Sequence, residues 1–577
     1  MDPMNQRKGT SPMPSRRFET SERRSRDLPT RGITRGAGLL CALFISSSVL
    51  VSCASAAPLP QAENKQQPVV VKPTVKPATA KAGNAGPAQQ AEFTVPTLTT
   101  ELKEQSSESE MAAKILEWRA MLPGDLRKPA SMSIEQLHSL VDNTIALSEV
   151  YRKRFPEGPA RKRVLPAVCK LWVINNTRYF VSVSNVYKEQ NGEQMPLELM
   201  KQVRAQYWDM VLTLIDEAIA LNPEGSLHEE LLTLKGQGSW FGQRYDNAVL
   251  AYKEVIEKYP NSPKASENLL ALLNAYLTGR KFDQSIVIAN QFLQKYPRDV
   301  LVPHVYQLKA KALLEGGRAQ EALAWWLQSS GFLADAAAGR PVKIGEQNFV
   351  YPAEARQSFR RYADECGFMI GFLHGYLGNY EEARKAFESS LVGLNDLQAQ
   401  NAIDPRSQVF LGRTDKVNTA YLTFVEKPAP SYEIRTWLDE DPIDPVAEKG
   451  NVVMLVFAPY ENPRYDEFLT IAQKLYADHW HEGLRVGWIA DPKGFSDFPS
   501  QLARVSAQRN RLNLSYPIGL ETERGWPNFQ KYQASVGGGT LVVIDRSGKV
   551  AWYKMDPTYR DKNLVTNMVR RLLDQAP

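Results

Sequence analysis

The sequence is short of the residues that carry redox and metal chemistry. Its 577 residues include only four cysteines and six histidines. No two cysteines stand at the close spacing of a dithiol pair that exchanges disulfides. A glycine-rich phosphate loop between a strand and a helix is also missing, because the triple glycine at 537–539 comes before a strand. These absences argue against a dithiol oxidoreductase and a nucleotide-binding enzyme, and we expect no cofactor.

The positive charge of the chain is concentrated at its start. The formal net charge is +6, and residues 1–52 hold nine arginines and lysines against four acidic residues, a surplus of five. The remainder is therefore close to +1, which gives no electrostatic footprint for nucleic acid. The length predicts two or three folded units, because a domain has about 100 to 200 residues.

Residues 1–52 have the pattern of a leader. An arginine-rich opening is followed by an apolar run at 37–51 and then by small residues. The run is shorter than the roughly 20 residues of a membrane-spanning helix and suits the hydrophobic region of a secretory signal. The motif LVSC at 50–53 resembles the lipobox of bacterial lipoproteins.

The lipobox resemblance implies that residues 1–52 are a signal peptide and that a lipid on Cys53 holds the chain at a membrane. It implies a location in the bacterial cell envelope, facing the periplasm. An ordinary signal peptide cleaved after Ala54 or Ala56 is the alternative, as is a start codon further along the chain. Proline, alanine, lysine and glutamine dominate the next stretch, so we expect a disordered tether at 53–106.

Apolar residues at helical spacing predict an N-terminal helical region at 107–222. Ser133 and Gln136 stand at the positions of a capping box, in which the serine accepts from the N3 amide and the glutamine reaches back. Runs at 164–187 and 197–221 keep the same period. We expect three or more packed helices.

A repeat of 37 residues follows. Proline ends three helical runs in the phrases LNP at 221–223, KYP at 258–260 and KYP at 295–297. A second phrase, RYDNA at 244–248, recurs in related form at the same interval, and a further copy stands at 379–383. Because the two phrases agree on the interval, the sequence predicts a repeat architecture.

These phrases resemble the tetratricopeptide repeat, in which two antiparallel helices pack through small residues and a proline ends the second helix. The matching positions are Gly236, Ala248, Tyr252 and Pro260 in one unit, and Gly371, Tyr380, Ala383 and Phe387 in another. The resemblance implies an all-α helical-repeat solenoid at 223–420 with an insertion near 330–360. Its concave surface suits a peptide or a partner helix, so we expect protein partners. The alternative is a spacer that only carries the next domain.

Residues 427–577 alternate between strand and helix patterns. The predicted strands are 452–457, 484–490, 516–520, 540–545 and 550–554, and the predicted helices are 463–476, 497–511, 529–534 and 563–573. Gly548 suits a hairpin turn, because glycine adopts positive φ without steric cost. This order predicts an α/β domain with a mixed sheet covered on both faces.

Three phrases of this region resemble the thioredoxin-like family, particularly its membrane-tethered branch. They are KPAP at 427–430, KGNVV at 449–453 and VIDRSGK at 543–549. The resemblance implies a thioredoxin-like fold at 427–577. The redox turn of the family then falls on Tyr460, Glu461, Asn462, Pro463 and Arg464.

Both cysteines of that turn are absent here. Neither the carboxylate of Glu461 nor the guanidinium of Arg464 replaces a thiolate nucleophile in disulfide exchange. Gly539 stands where the family has a cis-proline, and a non-proline cis bond costs roughly 3 kcal/mol, so we expect a trans bond and lost substrate docking. The resemblance therefore implies a redox-inactive domain with no catalytic residue.

Two further groups of residues were weighed as chemical sites. Cys169 and Cys366 lie in the helical region, where two buried free thiols or one disulfide are the alternatives. His479 and His481 suggest a metal, but residues two apart on a helix diverge and no third ligand is evident. We therefore expect no metal.

Carboxylates also gather near the start of the helix that follows the turn. Glu461, Asp466 and Glu467 stand where negative charge stabilises the helix dipole. General acid–base catalysis is the alternative, although no partner histidine is indicated.

The sequence thus predicts a membrane-anchored envelope protein that binds protein partners through its solenoid and through a redox-inactive thioredoxin-like domain. The surface around Tyr460 is the predicted contact face of that domain. The alternative is a thioredoxin-fold enzyme or a redox-complex subunit, acting through a non-thiol site or through the cysteines of a partner.

Overall fold

The computed structural model describes residues 95–122, 132–192, 195–434, 436–438, 442–491, 498–521, 526–535 and 538–575. The predicted signal peptide, Cys53 and the tether up to residue 94 lie outside these ranges. Within the described ranges, no helix has both the length and the hydropathy needed to cross a membrane.

The N-terminal region is helical, as predicted. Its described helices are α1 (Thr100–Glu104), α2 (Glu108–Met121), α3 (Ile134–Arg154), α4 (Arg161–Asn191) and α5 (Leu197–Leu221). The predicted capping box is confirmed at α3. The Gln136 amide donates to the Ser133 hydroxyl at 3.2 Å, and the Ser133 amide donates to Gln136 Oε1 at 2.7 Å.

The predicted tether extends too far along the chain. The hydroxyl of Thr99 accepts from the Leu102 amide at 3.1 Å and caps α1. Asn143 on α3 donates to the carbonyl oxygen of Pro96 at 2.8 Å. Structured chain therefore begins before the predicted boundary at 106. The boundary was missed because this segment is short: one capping residue and a few apolar contacts, from Val95, Leu98 and Leu102, hold it without a long periodic pattern.

The solenoid consists of helical hairpins. Its helices are α6 (Gly225–Phe241), α7 (Tyr245–Lys258), α8 (Ala265–Thr278), α9 (Phe282–Lys295), α10 (Val302–Glu315), α11 (Ala319–Ala338), α12 (Ala353–Leu377), α13 (Tyr380–Ala399) and α14 (Pro405–Phe424). A Cβ on Gly371 would lie 2.6 Å from the Phe387 ring, and one on Gly236 would lie 2.7 Å from the Tyr252 ring. Glycine therefore permits the close packing within these hairpins.

The stack of hairpins has an inner and an outer side. The first helices of successive hairpins contact one another, from α8 to α10, from α10 to α12 and from α12 to α14. In the described residues 195–434, no comparable contact joins the successive second helices α7, α9, α11 and α13. Elements on the inside of a curved stack lie closer together. We therefore call α6, α8, α10, α12 and α14 the inner helices.

The predicted insertion is a β-hairpin between α11 and α12. Its strands β1 (Val342–Ile344) and β2 (Gln347–Phe349) pair antiparallel. The Tyr351 hydroxyl, just after β2, donates to the carbonyl oxygen of Pro297 at 2.6 Å. The hairpin is thereby fixed against the connection between α9 and α10.

The C-terminal domain has the predicted mixed sheet. Its elements are β3 (Thr436–Trp437), β4 (Val452–Pro459), α15 (Pro463–His479), β5 (Leu484–Asp491), α16 (Phe498–Leu512), β6 (Ile518–Leu520), α17 (Pro527–Lys531), β7 (Thr540–Ile544), β8 (Val550–Met555) and α18 (Lys562–Leu573). The strand order is β3-β6-β5-β4-β7-β8, with β4, β5 and β6 parallel and the others antiparallel to their neighbours. Strand β3 was not predicted, because two residues carry no periodic signal. Gly548 adopts φ of 82° in the predicted hairpin turn.

The sheet and the solenoid share one apolar core. The buried ring of Trp552 on β8 lies 5.5 Å from the Tyr376 ring and 6.0 Å from the Phe372 ring, both on α12. Phe424, the last residue of α14, stacks against Tyr553 at 6.1 Å. The solenoid therefore does not end at a flexible linker.

Hydrogen bonds fix the same junction. The Tyr376 hydroxyl donates to the carbonyl oxygen of Leu564 on α18 at 3.1 Å, and the Tyr380 hydroxyl donates to that of Ala551 on β8 at 3.0 Å. Asn563 on α18 donates to the Glu315 carbonyl at the end of α10. The C-terminal domain thus covers the carboxyl-terminal ends of α10, α12 and α14.

The N-terminal helices have a separate core, and the two described cysteines are divided between the two cores. Cys169 lies in the N-terminal core and Cys366 in the larger one, and both are buried and unpaired. Phe241 contacts both cores and stacks on Trp208 at 5.7 Å. The structure therefore contains the two buried free thiols, and not the alternative disulfide.

Candidate functional site

The turn at 460–464 follows the central strand β4, where the sequence placed the former redox site. Tyr460 is only 1% exposed and belongs to the core. The Tyr460 ring itself is therefore not available to a partner, and the contact face around it stays a prediction. The exposed side chains at this turn are charged.

Glu461 adopts a left-handed backbone, with φ of 55°, and a buried glutamine holds it there. The Glu461 amide donates to Gln508 Oε1 at 2.6 Å. Gln508 Nε2 in turn donates to Asp466 at 2.8 Å. Because Gln508 is 2% exposed and Asp466 is 8% exposed, these bonds are shielded from water. Gln508 thus joins α16 to both the turn and α15.

Helix α15 starts at the turn with an ordinary cap. The Asn462 side chain accepts from the Arg464 amide at 3.2 Å, and Pro463 occupies the first helical position. Proline is favoured there because its fixed φ suits a helix and its missing N–H would have no helical partner. The side-chain amide of Asn462 thus caps the start of α15 and is not a nucleophile.

Ion pairs surround the turn. Arg504 lies 3.2 Å from Glu461. Arg511 lies 2.9 Å from Asp466. A third pair joins Arg464 to Asp556 at 2.9 Å. Neither Glu461 nor Asp466 faces a histidine, so the geometry favours the interpretation as helix-start and ion-pair carboxylates over acid–base catalysis.

Tyr465 occupies the space in front of Gly539. A Cβ on Gly539 would lie 2.4 Å from the Tyr465 ring, so only glycine permits this approach. The Gly539 carbonyl accepts from the Asp556 amide at 2.8 Å, and Asp556 accepts from the Tyr465 hydroxyl at 2.8 Å. The peptide bond between Gly538 and Gly539 is trans. The backbone at Gly539 is thus engaged within the domain.

The titration of Tyr465 is consistent with this closed arrangement. Burial and the hydrogen bond to Asp556 raise the pKa of Tyr465. Its hydroxyl therefore stays protonated and keeps donating to Asp556 at neutral pH.

The other predicted chemical residues lie away from the turn. His479 ends α15 and its Nδ1 lies 3.0 Å from Glu482, whose carboxylate is also 3.6 Å from His481. No group of three or more metal-ligating side chains occurs in the part of the chain that the structure describes. Burial raises the pKa of the Cys366 thiol to about 12 and also raises that of Cys169. Neither thiol is a reactive thiolate at neutral pH.

A second candidate surface is the inner face of the solenoid, which is lined by polar side chains. On α10, Gln307 donates to both carboxylate oxygens of Glu365 on α12, at 3.1 and 3.3 Å. Burial raises the pKa of Glu365. Lys311 lies one turn further along α10 and stands 37 residues after Asn274 on α8, so the two occupy the same position of the repeat.

These inner-face residues were not predicted from the sequence. Glu267 and His304 are also 37 residues apart, on α8 and α10. Burial raises the pKa of Glu267 to about 7 and lowers that of His304 to about 4. Polar residues that recur at the repeat interval within the apolar first helices are the signal that could have found this face.

Comparison with known proteins supports the repeats. Residues 231–262 match the tetratricopeptide repeat family model. This match and the helical hairpins agree with a tetratricopeptide-like solenoid. No curated protein matches the chain.

Several solved structures that are similar to about a quarter of the chain are proteins of thiol–disulfide exchange. One is a thiol:disulfide interchange protein of the thioredoxin family from Chlorobium tepidum, with 20% identity over 26% of this chain and 96% of that chain, at a TM-score of 0.22. Another is a thiol-disulfide isomerase from Corynebacterium glutamicum. It is 16% identical over 26% of this chain and 98% of its own length, with a TM-score of 0.23. A secreted disulfide oxidoreductase of Mycobacterium tuberculosis is 14% identical over 23% of this chain and 89% of its own length, with a TM-score of 0.19.

Replacing Gln508 by alanine tests the structure of the turn. The change leaves the Glu461 amide and the Asp466 carboxylate without their buried partner, so we expect the free energy of unfolding to fall by about 1–3 kcal/mol. Urea denaturation followed by circular dichroism measures the loss.

Gln473→Ala is the matched control. Gln473 also makes two hydrogen bonds, to the hydroxyl and the amide of Ser515, but these lie at the exposed surface. We expect its loss to stay below about 1 kcal/mol, because water replaces the lost bonds. Equal losses in the two variants would contradict the account of the turn.

Proposed function

We propose that this protein is a scaffold that binds a protein partner on the inner face of its solenoid. The observation that carries the proposal is the row of half-buried polar side chains on the inner helices, such as Asn274, Gln307 and Lys311. A stack that serves only as a spacer needs no such side chains. Solenoids bind extended segments along surfaces of this kind.

We also propose that the thioredoxin-like domain performs no thiol–disulfide exchange. The turn after β4 offers Glu461 and Arg464 where exchange needs thiolates. Both side chains are held in ion pairs, with Arg504 and with Asp556. The domain then contributes to recognition through its charged surface and closes one end of the inner face of the solenoid.

The proposed site of action is the bacterial cell envelope. The proposal rests on the LVSC motif at 50–53 and on the apolar run before it. Two acyl chains or more give stable anchoring where one does not. Cys53→Ser would then move the protein from the membrane fraction to the soluble fraction, and continued membrane retention of the variant would contradict a lipid anchor.

Site-specific photo-cross-linking tests the scaffold proposal. A photoreactive amino acid at position 274 on the inner helix α8 is expected to give a discrete cross-linked protein in the native cells. The control position is 250 on the outer helix α7, where Leu250 is 65% exposed. It is expected to give no such product. Equal products from both positions, or none from position 274, would contradict binding on the inner face.

An insulin-reduction assay on the full chain tests the redox proposal. We expect the rate of disulfide reduction to equal the rate without protein, because the described thiols are buried and their pKa values are raised. The variant Cys169→Ser with Cys366→Ser is the control. A rate above background would overturn the proposal, and its persistence in this variant would show that neither Cys169 nor Cys366 supplies the activity.

A further inference from the structure

Three arginines near the amino-terminal halves of the last inner helices have no carboxylate partner. They are Arg361 on α12 and Arg406 and Arg413 on α14, and we call them the arginine patch. No carboxylate among the described residues lies within 4.0 Å of their guanidinium groups. Four other solenoid arginines form such pairs: Arg244 with Asp209, Arg318 with Asp283, Arg340 with Asp335 and Arg384 with Glu426.

Aromatic rings hold two of these guanidinium groups in place. The Arg361 guanidinium lies 4.3 Å from the centre of the Tyr362 ring and donates to its hydroxyl. The Arg413 guanidinium lies 5.8 Å from the Phe410 ring and 5.9 Å from the Phe368 ring. Stacking on an aromatic face orders an arginine without neutralising its charge. The patch is therefore pre-organised and still able to pair with an anion.

A neutral histidine lies against the patch. His304 on α10 is 8% exposed, its ring lies 5.4 Å from Tyr362, and its Nδ1 has no hydrogen-bond partner. Burial, together with the nearby cations Arg361 and Arg406, lowers the pKa of His304 to about 4. His304 is thus uncharged at neutral pH and adds no charge to the patch.

The carboxylates near the patch are already engaged. Glu365 accepts from Gln307, while Asp364 and Asp404 both accept from the Ser407 hydroxyl. Burial raises the pKa of Glu365 and of Asp364. The cations Arg360, Arg361, Arg406 and Arg413 face the anions Asp364, Glu365 and Asp404, so four positive charges face three negative ones. Lys311 also acts on Glu365, but it pairs with Glu315 at 3.8 Å.

We propose that the arginine patch binds an acidic, extended segment of the protein partner, rich in aspartate and glutamate. This inference rests on the proposed scaffold function and names the chemistry of what it binds. Excess positive charge with ordered guanidinium groups suits carboxylates, which arginine binds in a bidentate manner. The three embedded carboxylates disfavour a uniformly charged polyanion such as nucleic acid, whereas a peptide can place uncharged residues opposite them.

The position of the patch leaves room for such a segment. The C-terminal domain covers the opposite, carboxyl-terminal ends of α10, α12 and α14 through Tyr376, Phe424 and Asn563. Arg406 and Arg413 are exposed, and Arg361 is half-buried. The acidic segment therefore lies across the amino-terminal halves of α12 and α14, which the C-terminal domain leaves uncovered.

Fluorescence anisotropy with the full chain tests the proposal. The probe is a short fluorescein-labelled peptide of alternating aspartate and serine, and the reference peptide has asparagine in place of aspartate. Of the two peptides, we expect only the acidic one to bind. In the variant Arg361→Gln with Arg413→Gln, we expect its affinity to fall roughly tenfold, as two charged contacts are lost.

The matched control is Arg340→Gln with Lys385→Gln. It removes the same charge from exposed positions that already pair with Asp335 and Glu381, with 62% and 68% of their side chains exposed. We expect unchanged affinity. The variant Arg361→Lys with Arg413→Lys keeps the charge and is expected to retain part of the binding, which separates lost charge from a damaged fold.

Three results would overturn the proposal. They are equal losses in the two charge-removing variants, equal binding of the asparagine peptide, and tighter binding of a single-stranded oligonucleotide of the same length. If the acidic peptide fails to bind while position 274 still cross-links to a partner, the scaffold function stands and this inference fails.

Discussion

The contact of Trp552 with Phe372 and Tyr376 determines the relation between the two parts of this protein. Through it, the edge strand β8 of the sheet packs on an inner helix of the solenoid, and the two apolar cores become one. Burial of aromatic rings supplies the largest apolar area per residue, so such a contact constrains both partners. The hydrogen bond from Tyr376 to Leu564 then fixes the orientation of α18.

A fixed junction has consequences for recognition. The sheet is held against the ends of α10, α12 and α14, so the proposed partner on the inner face would meet a surface to which both domains contribute. Rigid surfaces lose less conformational entropy on binding than tethered ones. The turn at 460–464 is ordered as well, because Gln508 bonds to its backbone and Arg504 pairs with Glu461.

Local patterns predicted much of the fold. Strand β4 and helix α15 were predicted close to their observed bounds, because a continuous apolar run and a proline start are local signals. The capping box at Ser133 and the turn at Gly548 were predicted for the same reason. The 37-residue spacing predicted the hairpins, since each repeat reuses the same packing positions.

Features that depend on distant residues could not be predicted in this way. The burial of the Tyr460 ring was not predicted, because a turn sequence does not show which way an aromatic side chain points. Gln508 is far from the turn in sequence and reaches it only through the packing of α16. The arginine patch likewise depends on the approach of α12 and α14.

The shared core is tested most directly by hydrogen exchange in the variant Trp552→Ala. Removing a fully buried tryptophan is expected to cost about 3–5 kcal/mol. If the two domains share one core, amides in α12 and α14 of the solenoid will exchange faster, together with those of β7 and β8. The variant Trp480→Ala, which changes a tryptophan that is 56% exposed, should leave all four unchanged. Faster exchange confined to residues 427–575, with the solenoid helices protected as before, would contradict the account.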